Sequence, residues 1–168
     1  MFALWFLSFA LYAVSAPLAK RQAPSGVPSF VVDYAPVVYL YSDDPYRPAD
    51  IGAQLSNTQP RINFTAIEGA PSPLTLDNLN QLNSFGSGGT DVYLTSTTNI
   101  VDRPSFLHGV EPDSSGKTDG AVSCAIIVND HGSGLVDVFY MYFYAFDYGG
   151  TYFGQTIGDH VGDWEHTM

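Results

Sequence analysis

The sequence predicts an all-β fold, a β-sandwich with one or two short helices, and three observations carry that expectation. Short runs rich in Val, Ile, Thr, Tyr and Phe recur along the chain. Gly, Pro, Asn, Asp or Ser bounds each of them, and only two stretches carry helical spacing. Neither an internal repeat nor a block of like charge interrupts the pattern, so one domain over residues 30–168 is expected. The sequence stops inside the β-like run ending Trp164-Glu165-His166-Thr167-Met168, which reads as a domain incomplete at its C-terminus.

Ahead of that domain, residues 1–16 read as a secretory signal peptide. Residues 2–14 carry no charged side chain and are shorter than the about 20 residues a membrane span requires. Small residues lead to a cleavage position at Ala16. Residues 17–29 then hold Lys20-Arg21, a pair suited to dibasic processing, and a Pro/Ser/Gly linker. The expected destination is the secretory pathway, with the protein secreted or vacuolar.

In chain order, residues 37–41 form the first expected strand, and residues 48–55 a short helix with Pro48 at its first position. Residues 62–67 alternate polar and apolar, which turns Asn63 of the Asn63-Phe64-Thr65 glycosylation sequon toward solvent. Residues 75–83 place Leu76, Leu79 and Leu82 on one helical face, with Thr75 as N-cap. Strands are expected at residues 92–97 and 121–128. The polar turn at residues 129–134 joins the latter to the long run at 135–146 as a hairpin. Both alternating faces of that run are apolar between its ends, so it is expected to be central and covered on both sides.

Composition narrows the partners. The chain carries 6 basic and 17 acidic residues, a net charge of −11. Loss of residues 1–21 removes two of the basic residues and none of the acidic ones, leaving −13. Such a polyanion is repelled by phosphate backbones, which excludes nucleic acid. A second apolar run long enough to span a membrane is lacking. Cys124, the single cysteine, has no internal partner for a disulfide and reads as a small core residue.

The ionisable residues that could carry chemistry crowd the last twenty-two positions. Along Asp159-His160-Val161-Gly162-Asp163-Trp164-Glu165-His166, an extended backbone sets Asp163 and Glu165 on one face, their Cα atoms about 7 Å apart. His160 can fold back across Gly158 or Gly162, and Asp147 can approach from the end of the preceding strand. Oxygen donors with one imidazole suit a hard divalent cation, Ca, Mg or Mn, better than zinc. The competing reading is a solvated acidic loop beside a core tryptophan.

At these residues the chain resembles a known family. Residues 136–149, followed by Gly158-Asp159-His160-Val161-Gly162-Asp163-Trp164-Glu165-His166, look like the fungal Vps62 (vacuolar protein sorting-associated protein 62) family, as do residues 34–40, 48–50 and 76–80. The likeness covers roughly residues 33–168, and it implies a link to vacuolar protein sorting without a mechanism. A fainter likeness is to the necrosis- and ethylene-inducing-like toxins, whose metal site follows an aromatic strand ending in aspartate. It implies metal ligation by Asp147, His160, Asp163 and Glu165. Gly162 stands where the toxins carry a second histidine, so cytolytic activity does not carry over.

The expected function is therefore a secreted or vacuolar binding module containing a divalent cation, which presents a glycan or lipid headgroup. One alternative is a carbohydrate-active hydrolase using Asp163 and Glu165, or Asp147 with Glu165, as an acid/base pair. Others are a toxin-like membrane-glycolipid binder and a purely structural or sorting-cargo role. His108 and His131 read as polar loop residues, and no nucleophile elbow, phosphate loop or paired-cysteine motif occurs.

Overall fold

In the computed structural model, which describes residues 23, 25 and 27–167, two helices precede the strands. They are α1 (Ser29–Asp33) and α2 (Ile51–Ser56). The strands are β1 (Thr58–Ile62), β2 (Thr65–Ala66), β3 (Tyr93–Ser96), β4 (Cys124–Gly132), β5 (Leu135–Asp147), β6 (Thr151–Tyr152), β7 (Gln155–Thr156) and β8 (His160–Thr167). Short 3-10 helices occupy Leu79–Ser84, Ile100–Asp102 and Ser105–His108. The fold is mostly β, as expected, in antiparallel sheets ordered β2-β1-β3 and β4-β5-β8 with a separate β6-β7 hairpin. Ala16 and the Lys20-Arg21 pair lie outside the described residues.

β5 organises the site-bearing half. Its thirteen residues pair with β4 along one side and with β8 along the other, so it is the central strand of its sheet. Tyr140, Phe143, Ala145 and Phe146 are buried on it. Burial of each aromatic ring contributes on the order of 1.5–3 kcal/mol. The Tyr140 hydroxyl donates to the Val31 carbonyl at 2.5 Å, tying α1 to the sheet and satisfying a buried phenol. Phe143, Ala145 and Phe146 join Tyr46, Ala49 and Leu107 in one core cluster, while Leu55, Leu74 and Leu82 form a second. Ile51 on α2 packs against both. At Gly109 a Cβ would stand 2.0 Å from the Arg47 carbonyl oxygen, so only glycine permits that approach.

Several elements differ from their sequence expectations, each for a local reason. The helix expected at 48–55 starts at Ile51. Asp50 is its N-cap, accepting from the Ala53 amide at 2.8 Å, and Pro48 instead bridges Tyr144 of β5. Across 75–83 only a 3-10 helix from Leu79 forms. The Asn78 side chain accepts from the Thr75 amide and donates to the Pro73 carbonyl, an alternative to the α-helical ladder. Thr75 is therefore not an N-cap, and Leu76 is exposed. The run 62–67 is broken by Asn63 (φ 48) and Phe64 (φ 64), which turn β1 into β2. Residues 37–41 form no strand. Val37, Val38 and Leu40 line a cleft of ≈ 860 Å³ together with Pro112, Cys124 and Tyr142. Cys124 is consequently half-buried rather than core, and burial raises its thiol pKa.

Candidate cation site

The site stands where β5 ends and β8 begins. Asp147 and His160 are cross-strand partners in the ladder, and their side chains meet, His160 Nε2 lying 3.2 Å from Asp147 Oδ2. Both are half-exposed, so an ion could reach them from solvent. Asp163 completes a group in which one ligand atom from each residue lies within 4.8 Å of the others. Strict alternation would have put Asp163 on the face opposite His160. Gly162 stands between them with a left-handed backbone, φ 80, which disturbs that alternation. Asp163 Oδ1 accepts from the Trp164 amide at 2.8 Å, fixing that carboxylate.

The base of the site is braced from the other core residues. Asp159, immediately before His160, accepts from the Gly149 amide at 3.0 Å and lies 3.9 Å from Arg103. The Arg103 guanidinium sits over the rings of Tyr46, Phe146 and Tyr148 at 5.8, 5.1 and 5.1 Å and donates to the Tyr46 hydroxyl. Gly149 packs so closely on the Ile157 carbonyl oxygen that a Cβ there would stand 2.1 Å away. On the other side, the Nε2 of buried Gln54 lies 3.7 Å from where a Cβ on Gly162 would be. Gln54 Oε1 is buried without a hydrogen-bond partner. A histidine at position 162 would have to adopt the left-handed backbone and stand against Gln54 and the Phe143 ring.

Of the four expected ligands, the structure thus gathers Asp147, His160 and Asp163. Glu165 pairs across from Tyr142 and is outside that group. Its charge is felt at Tyr144, whose hydroxyl is raised in pKa first by burial and then by Glu165 and Asp44. Asn63 is exposed at its turn. His131 pairs with Asp137 at 2.7 Å, and His108 stacks on Tyr46. Among the described residues, no helix is long and apolar enough to cross a membrane. Sequence reasoning passed over Arg103 and Gln54. The scarcity of cations in so acidic a chain is the signal that could have found Arg103.

Two carboxylates and one imidazole are donors of the kind a hard divalent cation takes.

No family model matches the chain, and no solved structure matches it. Two curated proteins of Saccharomyces cerevisiae do. One is TDA6, provisionally named a vacuolar protein sorting-associated protein, which is 32% identical over 157 residues covering 88% of this chain and 34% of the relative. The other is vacuolar protein sorting-associated protein 62, 30% identical over 156 residues covering 84% of this chain and 32% of the relative. The resemblance to the Vps62 family is thereby shown. The chain spans about a third of the length of these relatives.

Proposed function

We propose that this Vps62-like chain is a binding module of the vacuolar sorting route that holds a divalent cation between Asp147, His160 and Asp163. The names of the two yeast relatives support the vacuolar link, and the expected leader and Lys20-Arg21 pair fit entry through the secretory pathway. The observation that carries the cation is the convergence of three ligand atoms within 4.8 Å on the cross-strand pair that ends β5 and opens β8. Ca, Mg or Mn suits those donors, and a cation so exposed keeps open positions for an anionic group of a glycan or lipid. Glu165 is not needed for the ion.

Melting of the full chain with each cation and with EDTA tests the reading. A ligand at a hundredfold excess over its dissociation constant adds about 2.7 kcal/mol to the folded state. The midpoint should rise with at least one cation and fall back with EDTA, and Asp163→Asn should abolish most of the rise. Identical melting in all three cations and EDTA overturns the cation site.

A further inference from the structure

Strand β4 is an edge of its sheet, and its ladder with β5 decides which of its backbone groups face outward. One step before the Cys124–Tyr142 pair, the Phe143 amide donates to the Ser123 carbonyl at 3.0 Å. Bonded and non-bonded partners alternate along an antiparallel pair. The odd-numbered residues of β4 therefore bond to β5, while Cys124, Ile126 and Val128 turn their N–H and C=O groups away from it. Val122, of the same parity, agrees: its amide donates to Asp50 Oδ1, and its carbonyl accepts from the Ile51 amide, both at 2.9 Å. Past that rung, no described residue bonds to the outward backbone groups of Cys124, Ile126 or Val128.

Sheet edges are commonly guarded by charge, proline or a bulge. The run from Cys124 to Val128 has none of these, and the bulge comes only between Asp130 and Gly132. Beside this edge lies the cleft of ≈ 860 Å³, lined in part by Cys124 and Ile126. Residues 37–40 also line it, and they too have no backbone partner among the described residues. The charge of the cleft departs from that of the molecule. Four basic residues follow Arg21, and two of them, Arg47 and Lys117, line it. Glu111 is the one acid among its described lining residues, and it pairs with Arg47 at 3.0 Å. The lining is thus net positive in a chain of −11.

We infer that β4 takes up an extended peptide of a partner protein as an added strand. The peptide presents a carboxylate to Lys117 and sets alternate apolar side chains into the cleft. Outward N–H and C=O groups repeat along β4 every two residues, about 7 Å, which is the repeat of a strand and not of a compact small molecule. A second copy of this chain paired through its own β4 supplies no carboxylate over Cys124 to Val128, which leaves Lys117 unanswered. The site shares no residue with the group formed by Asp147, His160 and Asp163.

A phage-displayed library of random octapeptides, panned on the full chain in EDTA so that no divalent ion takes part, tests the inference. Enriched sequences should alternate apolar residues and carry an aspartate or glutamate. Lys117 is exposed, so Lys117→Glu keeps the fold, and it should weaken binding of the synthesised enriched peptide about tenfold. Residue-resolved amide exchange reads the edge itself. In the free chain the Ala125 and Ile127 amides should exchange far more slowly than those of Cys124, Ile126 and Val128, and saturating peptide should slow the latter three about tenfold or more. The inference is overturned if no sequence is enriched, if Lys117→Glu binds equally well, or if the peptide leaves those three amides unprotected. It is overturned too if they are already as slow as Ala125 and Ile127 in the free chain, because a second copy or the chain's own N-terminal residues would then hold the edge.

Discussion

At residue scale, one torsion decides which acidic groups meet. Asp163 and Glu165 share a face in any regular strand, and Asp163 nevertheless joins Asp147 and His160 beside the left-handed Gly162. Sequence exposes Asp147 at the end of its strand and His160 beside a turn glycine, and the ladder pairs the two. Sequence does not expose the torsion, since a glycine permits positive φ without requiring it. A second residue-scale case lies away from the site. Asp113 is held below the usual carboxylate range by the Lys117 amide first, then by the Ser115 hydroxyl and amide. A depressed folded pKa means that the loop's stabilisation is present above the unfolded value and is lost as pH falls through the folded one. Hydrogen exchange should show the Ser115 and Lys117 amides losing protection as pH drops below the ordinary carboxylate range. Asp113→Asn should reproduce much of that loss at neutral pH, and pH-independent protection would refute the assignment.

At the scale of elements, composition located strands where a ladder was available and misled where it was not. The run at 135–146 is long, β-branched and aromatic, and it emerges as β5 almost to the residue. Residues 37–41 have similar composition but pair in no ladder among the described residues, and residues 37–40 line a cleft instead. Strand formation needs a partner edge as well as propensity, and a partner edge is not written locally. Helix starts were shifted by side chains that bind backbone. Asp50 shows the energetic side of that shift, because one carboxylate serves two elements. Oδ2 caps α2 at the Ala53 amide, and Oδ1 accepts from the Val122 amide at 2.9 Å, just before β4. Asp50→Ala should therefore lower stability by about 1–2 kcal/mol, the upper part of the range for a helix cap. Asp50→Asn should retain the cap and lose less. Urea midpoints measure both, and an alanine variant as stable as the parent would show that neither bond contributes.

Over the whole molecule, charge is the property that composition stated correctly and the fold left uncompensated. Among the described residues, the ion pairs with arginine are Arg47 with Glu111 at 3.0 Å and Arg103 with Asp159 at 3.9 Å, both partly exposed. Pairs of that kind contribute about 0–1 kcal/mol each. Against them stands a net charge of −11, whose self-repulsion opposes the compact state. Screening by salt therefore acts in opposite directions on the two contributions, and a net charge of −11 against two exposed pairs predicts that the repulsion is the larger. In EDTA, where no cation neutralises Asp147 and Asp163, raising sodium chloride from about 10 mM to about 150 mM shortens the screening length from about 30 to about 8 Å. The melting temperature of the full chain should rise over that interval. With a saturating divalent cation the rise should shrink, because part of the repulsion is already cancelled at Asp147 and Asp163. A fall in melting temperature with salt would mean that ion pairing, and not repulsion, dominates the electrostatics of this fold.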